Sequence, residues 1–221
     1  MAKHLQRDLD NLKREILAVG TLVEEAIGKS MRLLAERDPA LIDEIIAGDQ
    51  VIDQREVEVE EECLKVMALH QPMAADLRFV IAVLKVNNDL ERMGDLASNI
   101  ARRTRHALMQ PQPDERLVDF QECGRKVLAM VHASLESLVH QDADMARGVC
   151  RLDEEVDEMH RAVYDMLKQR MREDPDVVEA AVSALTVSRS LERIADLATN
   201  VAEDIVFMVD GEVIRHQADG H

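Results

Sequence analysis

The chain is written twice. Adding 104 to a residue number carries Val23 to Val127, Leu34 to Leu138, Asp38 to Asp142, Asp49 to Asp153 and Asp53 to Asp157 without a gap. Adding 101 carries the run LERMGDLASN, Leu90 to Asn99, onto LERIADLATN, Leu191 to Asn200. The change of offset falls near His70-Gln71-Pro72, where a connection tolerates a change of length. Whatever one half folds into, the other must also fold into. Two matched domains follow, 1–110 and 111–221. They join near Gln110-Pro111-Gln112-Pro113-Asp114, whose closely spaced prolines end a helix.

Each half reads as three helices. In the first, Leu5, Leu9, Leu12, Ile16, Val19, Val23, Ile27, Met31 and Leu34 recur at steps of three or four, as one buried helical face requires. Asp38-Pro39 reads as an N-cap and first-turn proline, opening a second helix to about Leu69 with Gly48 as its weak point. A third runs from about Asp76 to Met109. In the second half, helices are expected over 115–140 and from Asp142 to about Met171. After a break at Asp174-Pro175, the last runs from about Asp176 to Val209, where Asp210-Gly211 stops it. The tail from Glu212 to His221 is expected to fray. Helices of about 30 residues span about 45 Å. The expected fold is all-α: two tandem three-helix bundles related by internal duplication. Composition agrees, with 47% hydrophobic but only 2% aromatic residues, so Leu, Val, Ile, Ala and Met must fill the core.

Charge narrows the partners. Against 27 basic residues stand 44 acidic ones, for a net charge of -17. Such a surface repels nucleic-acid backbones and anionic membranes, and favours cations and basic protein surfaces. Cys63, Cys123 and Cys150 are scattered and form no C-x-x-C pair, which fits a reduced, cytoplasmic compartment. The first residues lack the apolar stretch of a signal peptide, and no run is long and apolar enough for membrane insertion.

The repeated polar residues carry the chemistry. Glu91, Asp95 and Asn99 lie at four-residue spacing on the third helix, matched by Glu192, Asp196 and Asn200 on the last. Such positions share one face of a helix. Their apolar neighbours Leu90, Met93 and Leu96 place this line near the buried side. Asp49 and Asp53 have the same spacing on helix two, as do Asp153 and Asp157. Each bundle can therefore set two carboxylates of one helix against two of another. Carboxylates gathered so closely require protons, Arg partners such as Arg92 and Arg193, or a cation. Oxygen ligands suit hard cations: magnesium, calcium, manganese or iron.

Other features point elsewhere. His160 follows Asp157 by three, but its repeat partner is Glu56 and the chain has no E-x-x-H, so a ferritin-like redox centre is disfavoured. His70, His106, His132 and His140 share no pattern and read as ordinary surface or boundary histidines. The Met residues read as core filler. Arg102, Arg103 and Arg105 suit the negative end of the third helix's dipole. With no P-loop, no G-x-S-x-G and no paired nucleophile and base, the chain is not expected to be an enzyme.

The repeated L-E-R-x-x-D-L-A-x-N runs, the segment Gly48 to Asp53 and the run Gln71 to Arg78 (QPMAADLR) together resemble the PhoU family over nearly the whole chain. The resemblance implies two similar three-helix bundles and a cytoplasmic, regulatory role. Family members hold down phosphate-starvation genes when phosphate is plentiful. The resemblance implies that they link the phosphate ABC transporter, through its ATPase subunit, to a membrane sensor histidine kinase. It also implies iron, zinc or other metals held at Glu91 and Asp95 and at Glu192 and Asp196, with Asp49, Asp53, Asp153 and Asp157 facing them. A homodimer is expected, since long bundles present large flat faces. Gly94 is matched by Ala195, and Arg102-Arg103 by Glu203-Asp204, so the halves are expected to differ in metal affinity or partner. The competing reading is a metal-storage or metal-dependent bundle whose acidic clusters are the working centre.

Overall fold

A computed structural model describes residues 2–109 and 117–214; the proline-rich break at 110–114 and the end of the tail lie outside them. Among the described residues seven α-helices follow in order: α1 (Ala2–Glu36), α2 (Pro39–His70), α3 (Ala75–Leu108), α4 (Gln121–His140), α5 (Ala143–Cys150), α6 (Asp153–Glu173) and α7 (Val178–Asp210), the last preceded by a 3-10 turn at Pro175–Val177. No strand occurs among the described residues.

The first helix shows why periodicity sufficed. Leu9, Leu12, Ile16, Val19, Val23, Ile27 and Met31 are all buried, and Leu5 and Leu34 pack against the same core. Fully burying one such side chain stabilises the fold by about 1.5–3 kcal/mol. Boundaries follow local chemistry. The Asp38 carboxylate accepts the Ala40 N–H at 2.9 Å, and Asp142 accepts the Met145 N–H at 2.9 Å, so both repeats cap the same helix start. Gly211, at φ 75°, closes α7 in the left-handed region that glycine enters without strain.

Two expectations are corrected in the second half. The helix expected from Asp142 to Met171 is interrupted at Arg151 and Leu152, which separate α5 from α6. There the Leu152 N–H bonds the Val149 carbonyl at 2.9 Å, and Glu155 bonds Leu152 at 3.2 Å. This tightened i to i−3 pattern turns the chain at the counterparts of Ala47 and Gly48. The helix expected from residue 115 begins at Gln121, whose N–H donates to the Asp119 carboxylate at 3.0 Å. Leu117 therefore precedes the helix, as does Phe120, which is buried nonetheless.

The bundles share one core. In the first, α1, α2 and α3 pack on one another; in the second, α4, α5 and α6 pack on α7. Contacts of α1 with α4 and of α3 with α7 then join the repeats into one continuous apolar cluster. A satellite of Leu33, Leu41, Ile42, Ile45 and Ala101 fills one end of the first bundle. The seam helices run antiparallel: Arg103 bonds Thr186, and far along the helix Lys85 bonds Asp204. The repeats are thus related by an approximate two-fold axis through the α1–α4 and α3–α7 crossings.

Candidate functional site

In each repeat a long helix with two carboxylates one turn apart packs beside another carrying a matching pair. The first repeat sets Asp49 and Asp53 of α2 near Glu91 and Asp95 of α3. Asp49 is buried, and its charge is met by the Arg102 guanidinium, 3.5 Å away on α3; Arg102 is held in turn by the Ser98 hydroxyl. Burial raises the carboxyl of Asp53 above its ordinary value, with Asp49 and Asp95 adding to the effect. Glu91 is raised likewise, by burial first and then by Asp95 and Asp53.

The second repeat draws its acids closer. One carboxylate oxygen from each of Asp157 on α6 and Glu192 and Asp196 on α7 lies within 4.8 Å of the other two. Among the described residues this is the one trio that converges so tightly; Asp53, Glu91 and Asp95 do not. Asp153 stands behind it, half-buried and raised by burial, Asp157 and Glu192, against which the Thr199 hydroxyl works. Asp196 sits on the open side. Partial burial, then Glu192, Asp153 and Asp157, push its carboxyl up to about 6, with Arg193 opposing.

One substitution between the repeats changes the charge balance. Arg102, which balances Asp49, is replaced in the second repeat by Glu203. The second set keeps its negative charge without that guanidinium. Close, oxygen-only and under-neutralised, it has the donor chemistry of a hard-cation site. The neutralising role that sequence spacing suggested for Arg92 belongs to Arg102, whose side chain reaches Asp49 from two helical turns beyond Asp95.

The remaining expected residues lie apart. Asn99 and Asn200 line grooves at the α3–α7 seam. His160 Nδ1 lies 2.8 Å from the Ser188 hydroxyl, the place in the second repeat where the first has the Asn87 amide donating to the Glu56 carbonyl at 2.8 Å. It is a helix-to-helix tie rather than a ligand of the acidic trio. His70, His132 and His140 each meet a neighbouring carboxylate, of Asp8, Glu24 and Glu136. Cys63 and Cys123 are buried thiols, pushed by burial up to about 12 and about 11. Such values make poor nucleophiles. Arg105 pairs with Asp43 on α2, tying the end of α3 down. No helix among the described residues is long and apolar enough to cross a membrane.

Comparison with known proteins gives one answer. The sequence profile of the family described as the PhoU domain matches the chain twice, at residues 6–104 and 120–205, once in each repeat. A Pseudomonas aeruginosa protein, named as a phosphate-specific transport system accessory protein PhoU homolog, is 33% identical over 98% of this chain and 89% of its own length. One of the same name from Aquifex aeolicus is 37% identical over 96% of each. The crystal structure of PhoU from Pseudomonas aeruginosa superposes with a TM-score of 0.90 at 33% identity, covering 94% of this chain and 99% of that one.

Proposed function

Because the chain belongs to the PhoU family, we propose that it is a cytoplasmic accessory protein of a phosphate-specific transport system. In this reading it keeps phosphate-starvation genes off when phosphate is plentiful. It does so by binding two partners, the ATPase subunit of the phosphate ABC transporter and a sensor histidine kinase. The observation that carries the reading is the PhoU domain matched in both repeats, covering nearly all the described chain. The architecture supports a docking role: two bundles share one core, offering extended helical faces with a net charge of -17 for basic partner surfaces. Coupling of transporter state to kinase output requires that each partner bind one state of the assembly better than another. Co-purification tests it: the tagged chain should retain the ATPase and the kinase, and recovery of neither would refute it.

The acidic trio favours a second element. A hard cation held by Asp157, Glu192 and Asp196 would relieve the repulsion that raises Asp196. Magnesium, calcium, manganese, iron and zinc all suit such oxygen ligands to differing degrees. In this reading the metal ties α6 to α7 and fixes the shape of the second bundle's face. Elemental analysis of protein purified without chelator should find metal, and none at any stoichiometry would count against it. Metal with turnover would instead favour a storage or enzyme role. A homodimer is part of the same proposal, and sedimentation would show its mass.

A further inference from the structure

The α3–α7 seam carries two open grooves that are copies of one another. Under the repeat, Lys85, Asn88 and Asp89 correspond to Thr186, Arg189 and Ser190, and Arg102 and Arg103 to Glu203 and Asp204. One groove, about 440 Å³, is lined by Arg102, Arg103, Thr186, Arg189, Ser190 and Arg193. Its copy at the other end of the seam, about 620 Å³, is lined by Lys85, Asn88, Asp89, Glu203 and Asp204. The same helical crossing has been made basic at one end and acidic at the other. In a chain of net charge -17, four guanidinium groups around one groove stand against the background.

We infer that the basic groove binds a condensed phosphate: two or more linked phosphoryl groups, free or carried by a nucleotide. Arg189 and Arg193 are exposed and form no ion pair among the described residues. They lie one turn apart on α7, so both forks face the same side. Across the seam the Arg103 guanidinium donates to the Thr186 hydroxyl at 3.2 Å, which fixes it in place before any ligand arrives. A fixed fork loses little freedom on binding. Among the described residues Arg102 is the one of the four in an ion pair, with Asp49 at 3.5 Å. Planar forks match phosphoryl oxygens two at a time, which selects phosphate over simple halides. A lone orthophosphate carries too little charge to balance these groups, whereas a linked chain of phosphates spans them. Beyond Arg103 a largely apolar pocket of about 310 Å³ opens, lined by Leu34, Ala107, Val118, Phe120 and Val187, with room for a nucleobase.

This inference stands apart from the cation reading, since the groove's arginines would hold an anion whether or not the acidic trio holds a metal. Titration calorimetry on the full chain, with chelator present to silence metal bridging, tests it with tripolyphosphate, ATP and orthophosphate. Tripolyphosphate or ATP should bind one per chain, weakening as salt rises, with orthophosphate at least about tenfold weaker because fewer charge-assisted hydrogen bonds form. Tighter ATP than tripolyphosphate would identify a nucleotide reaching the apolar pocket; equal affinities would identify the phosphate chain itself. Arg189→Gln with Arg193→Gln should weaken binding on the order of a hundredfold. The matched charge loss Lys168→Gln with Arg172→Gln, on α6, should leave it unchanged. Arg189→Asn alone, which places there the residue its copy carries at 88, should also weaken binding while leaving thermal melting in place. Absence of binding by both polyanions, orthophosphate binding as well as they do, or groove variants that bind like the parent would each overturn the inference.

Discussion

Met31 of α1 lies over Gly124 of α4 so closely that a Cβ at residue 124 would overlap the Met31 Sδ and stand 2.8 Å from its Cγ. The same contact is made again across the approximate two-fold axis, where a Cβ on Gly20 would meet a Leu135 Cδ at 2.8 Å. Gly20 and Gly124 are repeat partners, as are Met31 and Leu135. Each glycine admits the other repeat's bulky side chain, so one crossing is secured twice.

Gly124→Ala should therefore lower stability even though alanine is the better helix former. The helical gain is at most about 1 kcal/mol, while overpacking a core costs about 1–3 kcal/mol. A net loss of about 1–2 kcal/mol is expected in urea denaturation, smaller for Gly20→Ala, where only the tip of a leucine must turn. Adding Met31→Ala to Gly124→Ala should cost less than the sum of the two changes, as contacting pairs couple. Strict additivity would show that the crossing has no such fit.

The acidic trio gives a pH dependence of definite sign. Asp196 is raised from 3.8 to about 6 in the folded chain. Between these values the folded state holds a proton that the unfolded state has lost. This contribution to stability is thus full below about pH 4 and disappears as pH rises through about 6. With chelator present, Asp196→Asn should raise the melting temperature more at pH 7.5 than at pH 5. An equal shift at both would mean that the neighbouring charges do not press on this carboxyl.

Metal should reverse that penalty. A cation that binds only the folded chain stabilises it by about 2.7 kcal/mol at a hundred times its dissociation constant. Manganese or iron added after chelation should raise the parent's melting temperature, and Asp196→Asn with Glu192→Gln should abolish the rise. Asp95→Asn should affect it less, because the first repeat's acids do not converge and Asp49 is balanced by Arg102. Equal effects in the two repeats would contradict the assigned asymmetry.

Gln141 closes α4 at φ 52°, as its repeat partner Arg37 closes α1 at φ 57°. Non-glycine residues are strained in that region. Gln141→Gly should stabilise the chain by about 0.5–1 kcal/mol, which thermal melting reads directly.

Much of this was legible in the residues because the repeat checks every reading twice. Helical spacing in α1, the caps at Asp38 and Asp142 and the stop at Gly211 are local signals, and the structure follows them. The turn at Arg151 and Leu152 was not legible: it carries no proline, and the pattern of the first repeat reads straight through it. The convergence of Asp157, Glu192 and Asp196 was implied by matched spacing, but its confinement to the second repeat was not. That depends on how α6 and α7 are set against each other, which spacing along one helix does not encode. The glycine contacts lie in the sequence only as a match of residues 20 and 124. Only the crossing of α1 with α4 shows what they admit.

Restraint of the phosphate-starvation response by this chain is tested by deleting its gene and reading a phosphate-starvation reporter in phosphate-rich medium. The reporter should switch on despite abundant phosphate and fall silent again when the full chain is supplied in trans. A reporter that stays off in the deletion strain would contradict it.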